Sequence, residues 1–388
     1  MGENLLRVAL DALRHHLSDL VRRPPVKPAS APAHRKGYLD WLRGVGVIFM
    51  IQGHVMDSWT RDADRAREAY HWIIFVGGVA GTPIFLFLAG MALALAAGSR
   101  MRNGRTEEEV AALARKRGWQ IFGLAFLFRL QSWAISGGAP RTLLKVDILN
   151  VMGLAMLAAA VLWTLGRGAR SRALLLGAAA IATTMLTPLV RASGIVAPLP
   201  DPIEWYLRPA AGATTFTLFP WAGFVFAGGA VGLWLDAART ARQERFVNLA
   251  LLALGLAMTC GGYAASFLPP IYAQSQFWTS SPTFFFVRLG VVITLVPMAY
   301  AWNSLDGRSP LREFGLSSLF VYWIHVEMAY GVLSTPLHRR LPLEQAYLAF
   351  ILFSAFLFGL VKLKERMQTT KVTKITKDTI EKNLSWSS

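Results

Sequence analysis

The chain has 388 residues, of which 54% are hydrophobic and only 16% charged, with 13 tryptophans and a mean hydropathy of +0.40. About a quarter of a soluble domain is charged, so that class is excluded, and long continuous apolar runs exclude the short alternating segments of a β-barrel. The net charge of +17 does not point to nucleic acid, because Lys and Arg gather at the ends of apolar runs, where membrane proteins carry them.

Residues 3–23 place Leu6, Leu10, Leu13, Leu17 and Val21 on one helical stripe with arginines mostly elsewhere. That pattern predicts an amphipathic helix lying on lipid or packed on a partner, followed by a Pro/Ala linker to residue 34. Residues 1–34 are therefore set apart from a membrane domain spanning 35–364, and residues 365–388 form a basic, Lys/Thr-rich tail expected to be soluble and mobile. Within the membrane domain, apolar runs fall at 39–59, 71–97, 117–136, 148–165, 172–190, 214–235, 247–268, 284–302, 315–334 and 343–361. At about 20 residues per crossing, the expectation is an all-α polytopic membrane protein with about ten transmembrane helices.

The charges between runs give an orientation. Arg100, Arg102, Arg105, Arg115, Lys116 and Arg117, then Arg167, Arg170 and Arg172, then Arg239, Arg242 and Arg245, then Arg308 and Arg312, fall on alternate connections. The intervening connections are weaker in positive charge, so both termini are predicted in the cytoplasm. The single cysteine, Cys260, lies in an apolar run, which excludes an intramolecular disulfide and predicts a small packing residue. No metal cluster is legible.

Ionisable residues inside membrane spans are costly and are candidates for function. The first span, Arg35 to Arg61, carries Gln52, His54 and Asp57 in its later half and an Asp40–Arg43 pair at its start. With about 1.5 Å of rise per residue, His54 lies about 20 Å beyond Asp40. The same reckoning puts Arg129 and Gln131 of the third run, Asp147 and Asn150 of the fourth, Arg288 of the eighth, and His325 and Glu327 of the ninth in the outer half, with His71 opening the second run from outside. A shared depth for residues from six runs predicts one polar cavity in the outer leaflet. At the inner end, Asp40, Arg43 and the Arg115–Arg117 group form a ring that suits either positive-inside anchoring or a phosphate-bearing ligand.

The stretch Leu39-Asp40-Trp41-Leu42-Arg43-Gly44, continuing through Met50 to His54, resembles the opening span of transmembrane acyltransferases related to heparan-α-glucosaminide N-acetyltransferase and its bacterial relatives. Further matching segments follow in order: 81–90, 146–153, 220–223 with Gly228 and Gly229, and 315–325. The resemblance implies transfer of an acyl group, typically acetyl, from cytoplasmic acyl-CoA to a hydroxyl or amine of a sugar-like acceptor on the far side of a bacterial inner membrane. Under it, Asp40, Arg43 and Arg117 are donor-binding candidates, and Gln52, Arg129, Gln131, Asp147, Asn150, Arg288, Tyr322 and His325 line the acceptor cavity. His54 becomes a general base or a covalent carrier of the acyl group, with Asp57 three residues on to orient it. In the glucosaminide branch the working histidine follows the first span; its nearest equivalent here is His71, so His54 and His71 are both candidates.

Two other classes compete with the enzyme. A transporter or flippase of a polar or glycolipid substrate also needs polar residues in spans, although no inverted repeat is visible. A non-catalytic subunit would use the same residues to join helices. Oligomeric state is not legible, and a dimer is compatible with the sequence.

Overall fold

The computed structural model describes residues 36–303 and 309–385, so the expected amphipathic helix and linker at 1–34 lie outside the described residues. Among the described residues thirteen α-helices follow one another: α1 (Gly37–Trp59), α2 (Asp62–Arg65), α3 (Glu68–Arg102), α4 (Glu107–Ser136), α5 (Ile148–Leu165), α6 (Gly168–Ala192), α7 (Asp201–Leu207), α8 (Leu218–Ala237), α9 (Ala241–Ala265), α10 (Pro282–Asn303), α11 (Pro310–Leu316), α12 (Ser318–Tyr330) and α13 (Leu343–Ser385). Among the described residues the only extended pairing is two isolated parallel bridges, Thr60 with Leu341 and Val146 with Thr214. The protein is an all-α polytopic membrane protein.

Among the described residues, seven helices (α3, α5, α6, α8, α9, α10 and α13) are long and apolar enough to cross a bilayer. The other three expected runs are helical but differ in form. α1 carries its polar patch, and α4 begins in charged sequence behind a Thr106–Glu109 capping box. The run expected at 315–334 is not one helix: α11 stops at Leu316, Ser317 takes a non-helical conformation, and α12 starts afresh at Ser318. At the other end of the chain, α13 runs on to Ser385, through the segment expected to be a separate mobile tail.

Burial ranks the helices. α8 has 72% of its apolar window buried and is central, whereas α9 has 17% and sits at the edge of the bundle. Cys260, on α9, is exposed rather than packed. The core joins Leu42 of α1, Ile84, Phe87 and Met91 of α3, and Phe224 and Leu235 of α8.

Small residues set how closely the central helices approach, as expected where lipid tails remove the usual hydrophobic drive for helix association. A β-carbon on Gly90 would overlap the Val225 carbonyl oxygen, and one on Gly228 the Phe87 carbonyl oxygen, so α3 and α8 cross backbone to backbone. Gly44 and Gly315 do the same for α1 and α11, against the carbonyls of Leu311 and Asp40.

Gly228→Ala is expected to force α3 and α8 apart and to lower stability by about 1–3 kcal/mol, the usual cost of overpacking. Gly177→Ala on α6, where a β-carbon meets nothing within 4 Å, is expected to leave the thermal midpoint of the detergent-solubilised protein unchanged or slightly raised.

Candidate functional site: a buried histidine pair

α1 and α12 are parallel neighbours, held in register near the ends that carry their histidines. His54 Nδ1 lies 2.8 Å from His325 Nε2, with the ring planes within 4° of each other. One turn further along both helices, Ser58 Oγ–H donates to the Ala329 carbonyl at 2.7 Å, and the Trp59 indole N–H donates to the same oxygen at 3.1 Å. The segment after α12 then runs alongside the end of α1. Arg339 N donates to Ser58 O, Leu341 N to Trp59 O and Arg61 N to Leu341 O, at 2.8–2.9 Å. His338 bonds the Ser58 hydroxyl at 3.2 Å, a contact that nothing in its sequence surroundings signals.

Protons in the histidine pair can be assigned by elimination. His325 Nδ1 is 2.8 Å from the Val321 carbonyl oxygen, and a carbonyl only accepts, so Nδ1 carries a hydrogen. In the neutral ring Nε2 then has a lone pair, and it accepts from His54 Nδ1–H. His325 is 0% exposed and no carboxylate bonds it, so a charged His325 would be an uncompensated buried ion. The neutral chain leaves His54 Nε2 unprotonated and, among the described residues, without a hydrogen-bond partner.

Asp57 does not orient His54. Its carboxylate is held by Arg65 at 2.9 Å and by the Tyr330 hydroxyl at 3.0 Å, while Arg65 also donates to the Asp57 carbonyl at 2.7 Å. Asp57 instead fastens the turn after α1 to the end of α12. Tyr330 reaches His54 edge-on, with centroids 5.4 Å apart. Neither Tyr330 nor Arg65 stands out in the sequence, because each acts through residues distant along the chain or in a different element.

A second polar line leads away from the pair. Tyr322 packs its ring 5.9 Å from His325 and 5.7 Å from Phe128 of α4. The adjacent Trp323 indole donates to Gln131 Oε1 at 2.7 Å. Arg129 pairs with Asp147 at 2.5 Å, both side chains 18% exposed. Asp147 also caps α5 in a capping box with Asn150, and Asn150 donates to the Tyr206 hydroxyl at 3.2 Å. Next to this line, Lys145 in the loop before α5 is held below the usual lysine range, by partial burial first and by the nearby Arg129 charge second. Trp205 is buried with Val146, Val151 and Ala213, and Tyr206 packs against that cluster.

The structure thus brings His54, Tyr322, His325, Gln131, Arg129, Asp147 and Asn150 into one connected region. The other candidates stand apart from it. Gln52 is buried and donates to the Ile73 carbonyl at 3.5 Å, joining α1 to α3. Arg288 lies over the Phe284 and Trp221 rings, at 4.2 and 5.4 Å. His71 is exposed at the start of α3, its ring against Tyr70, and makes no contact with the histidine pair. At the opposite end of α1, Asp40 is buried and paired with Arg43 at 3.1 Å. Arg117 is exposed on α4 and is not joined to them.

A family model described as heparan-alpha-glucosaminide N-acetyltransferase, catalytic, matches residues 35–267, more than half of the chain. No curated protein matches it.

The Arg129–Asp147 pair generates a stability prediction. Arg129→Met strands the Asp147 carboxylate and is expected to cost up to the about 3–5 kcal/mol typical of breaking a buried ion pair. Adding Asp147→Asn, which keeps a capping side chain on α5, should restore much of that loss in thermal unfolding of the purified protein.

Proposed function

From the premise that this chain belongs to the heparan-α-glucosaminide N-acetyltransferase catalytic family, we propose that it is a multi-pass acyltransferase of a bacterial cytoplasmic membrane, using acyl-CoA, typically acetyl-CoA, as donor. The donor is taken up at the face where Asp40, Arg43 and Arg117 lie. The acceptor, a sugar-like molecule with a free hydroxyl or amine, meets the acyl group at the far end of α1. The clustering of arginine and lysine on alternate connections supports this sidedness.

One observation carries the reading: His54 Nε2 has a lone pair and, among the described residues, no hydrogen-bond partner. In the reaction it accepts the proton of the acceptor's hydroxyl or amine as that oxygen or nitrogen attacks the thioester carbonyl carbon. The carbon–sulfur bond then breaks, the acyl group stays on the acceptor, and the proton on Nε2 passes to the departing thiolate. A neutral imidazole suits proton transfer near neutral pH. Along the polar line from the pair, Tyr322, Gln131, Arg129, Asp147 and Asn150 supply groups able to hold acceptor hydroxyls. His71 and Asp57 take no part in the proton transfer.

Purified protein in nanodiscs, given acyl-labelled acetyl-CoA and amino-sugar or glycan acceptors, should transfer label. His54→Ala should lower turnover by about 10²–10⁴-fold, the range for removing a general base, while His71→Ala stays within about threefold. Undiminished turnover in His54→Ala would remove His54 from the chemistry.

A further inference from the structure

We propose that His325 is the positioning residue of this reaction: it locks His54 in the tautomer that carries its proton on Nδ1, so that Nε2 faces the acceptor as a base. The inference rests on the acyltransferase reading of His54, and it draws on a part of the chain beyond residues 35–267, where the family match ends.

Tautomer choice matters because a free neutral histidine side chain prefers its proton on Nε2. Left alone, His54 would mostly present an N–H to the acceptor, which cannot take a proton. A hydrogen-bond acceptor at Nδ1 reverses that preference. Carboxylates commonly serve, but the nearby carboxylate, Asp57, is engaged by Arg65 and Tyr330. The acceptor within reach is His325 Nε2, 2.8 Å away.

His325 is itself fixed. Its Nδ1–H is committed to the Val321 carbonyl one turn back on α12, so it has a single lone pair to offer, and that lone pair points at His54. The Ser58–Ala329 bond has the same sequence offset of 271 residues as the His54–His325 bond. The two helices are therefore pinned at two successive turns and cannot slide to another register. A side chain that only filled space at position 325 would need no such alignment, and its Nε2 would otherwise be a buried polar atom without a partner, which is costly.

A neutral partner has a consequence that a carboxylate would not. At rest the pair carries no charge, and charge arises only when the acceptor's proton arrives on His54 Nε2. The imidazolium then donates its Nδ1–H to His325, which spreads the charge over two rings inside the membrane while the proton on Nε2 remains available to the leaving thiolate.

The test compares wild type, His325→Gln and His325→Leu, with His325→Asn, whose shorter amide cannot reach His54, replacing the leucine variant if that one does not fold. Gln offers an amide oxygen to His54 Nδ1–H; Leu offers nothing. With labelled acetyl-CoA, kcat should fall about 100-fold in the leucine variant, with the acceptor KM within about threefold, and recover about tenfold in the glutamine variant. Histidine-selective ¹⁵N NMR gives a readout that needs no turnover: the His54 proton should sit on Nδ1 in wild type and His325→Gln, and shift to Nε2 in His325→Leu. Wild-type kcat in His325→Leu, or an unmoved proton on His54, would overturn the positioning role. If wild type transferred no label while the proton still moved as stated, the control of His54 by His325 would be supported and the acyltransferase reading would fall instead.

Discussion

The hydrogen bond between His54 and His325 can exist only if two helices from opposite ends of the chain keep one register. Inside a bilayer no water rescues a misplaced polar atom, so each such group must meet a protein partner. The structure meets that demand with bonds at successive turns of α1 and α12 and with backbone pairing between residues 58–61 and 339–341. The break at Ser317 belongs to the same constraint. α11 packs tightly on the first half of α1 through Gly44 and Gly315, and a fresh start at Ser318 lets α12 approach the second half at its own angle.

Around this pair the bundle divides its work. The glycine-lined crossing of α3 and α8 makes a dense, apolar centre. α9 is largely exposed at the edge of the bundle. One polar line runs from the histidines through Trp323 and Gln131 to the Arg129–Asp147 pair and Asn150. Because Asp147 caps α5 while pairing with Arg129, the start of that helix and the charge beside it are fixed by one side chain. Rigid placement of this kind favours a site that holds its groups ready over one that must assemble them.

Much of this was legible from the sequence, for physical reasons. Apolar runs of span length have few alternatives to helix, so most of the helices fall where hydropathy places them. Depth counted along helices put His325 at the level of His54, because rise per residue is nearly constant. Depth says nothing of azimuth, which is why Gln52 and Arg288 shared the level without joining the pair, and why His325 was not recognised as the partner. Asp57 was misjudged for a related reason. Its spacing from His54 suits a helical contact, but Arg65 in the following turn and Tyr330 on another helix compete for the same carboxylate. The break at Ser317 hid in an apolar run, since hydropathy averages over a single non-helical residue. Cys260 is exposed where packing is expected, because an apolar residue in a membrane chain can face outward or into the core with equal ease.

The proposed acyl transfer divides its groups between the two sides of the membrane: the proposed donor residues Asp40 and Arg43 lie at one end of α1, and His54 lies toward the other. Cysteine accessibility tests that division directly, since Cys260 is the sole cysteine and can be replaced by alanine. In that background Tyr330→Cys, at a position 45% exposed beside His54, should react with a membrane-impermeant maleimide in intact cells. Arg105→Cys, between α3 and α4, should react only after the membrane is permeabilised. Labelling of Arg105→Cys in intact cells, with Tyr330→Cys protected until permeabilisation, would contradict an outward-facing His54.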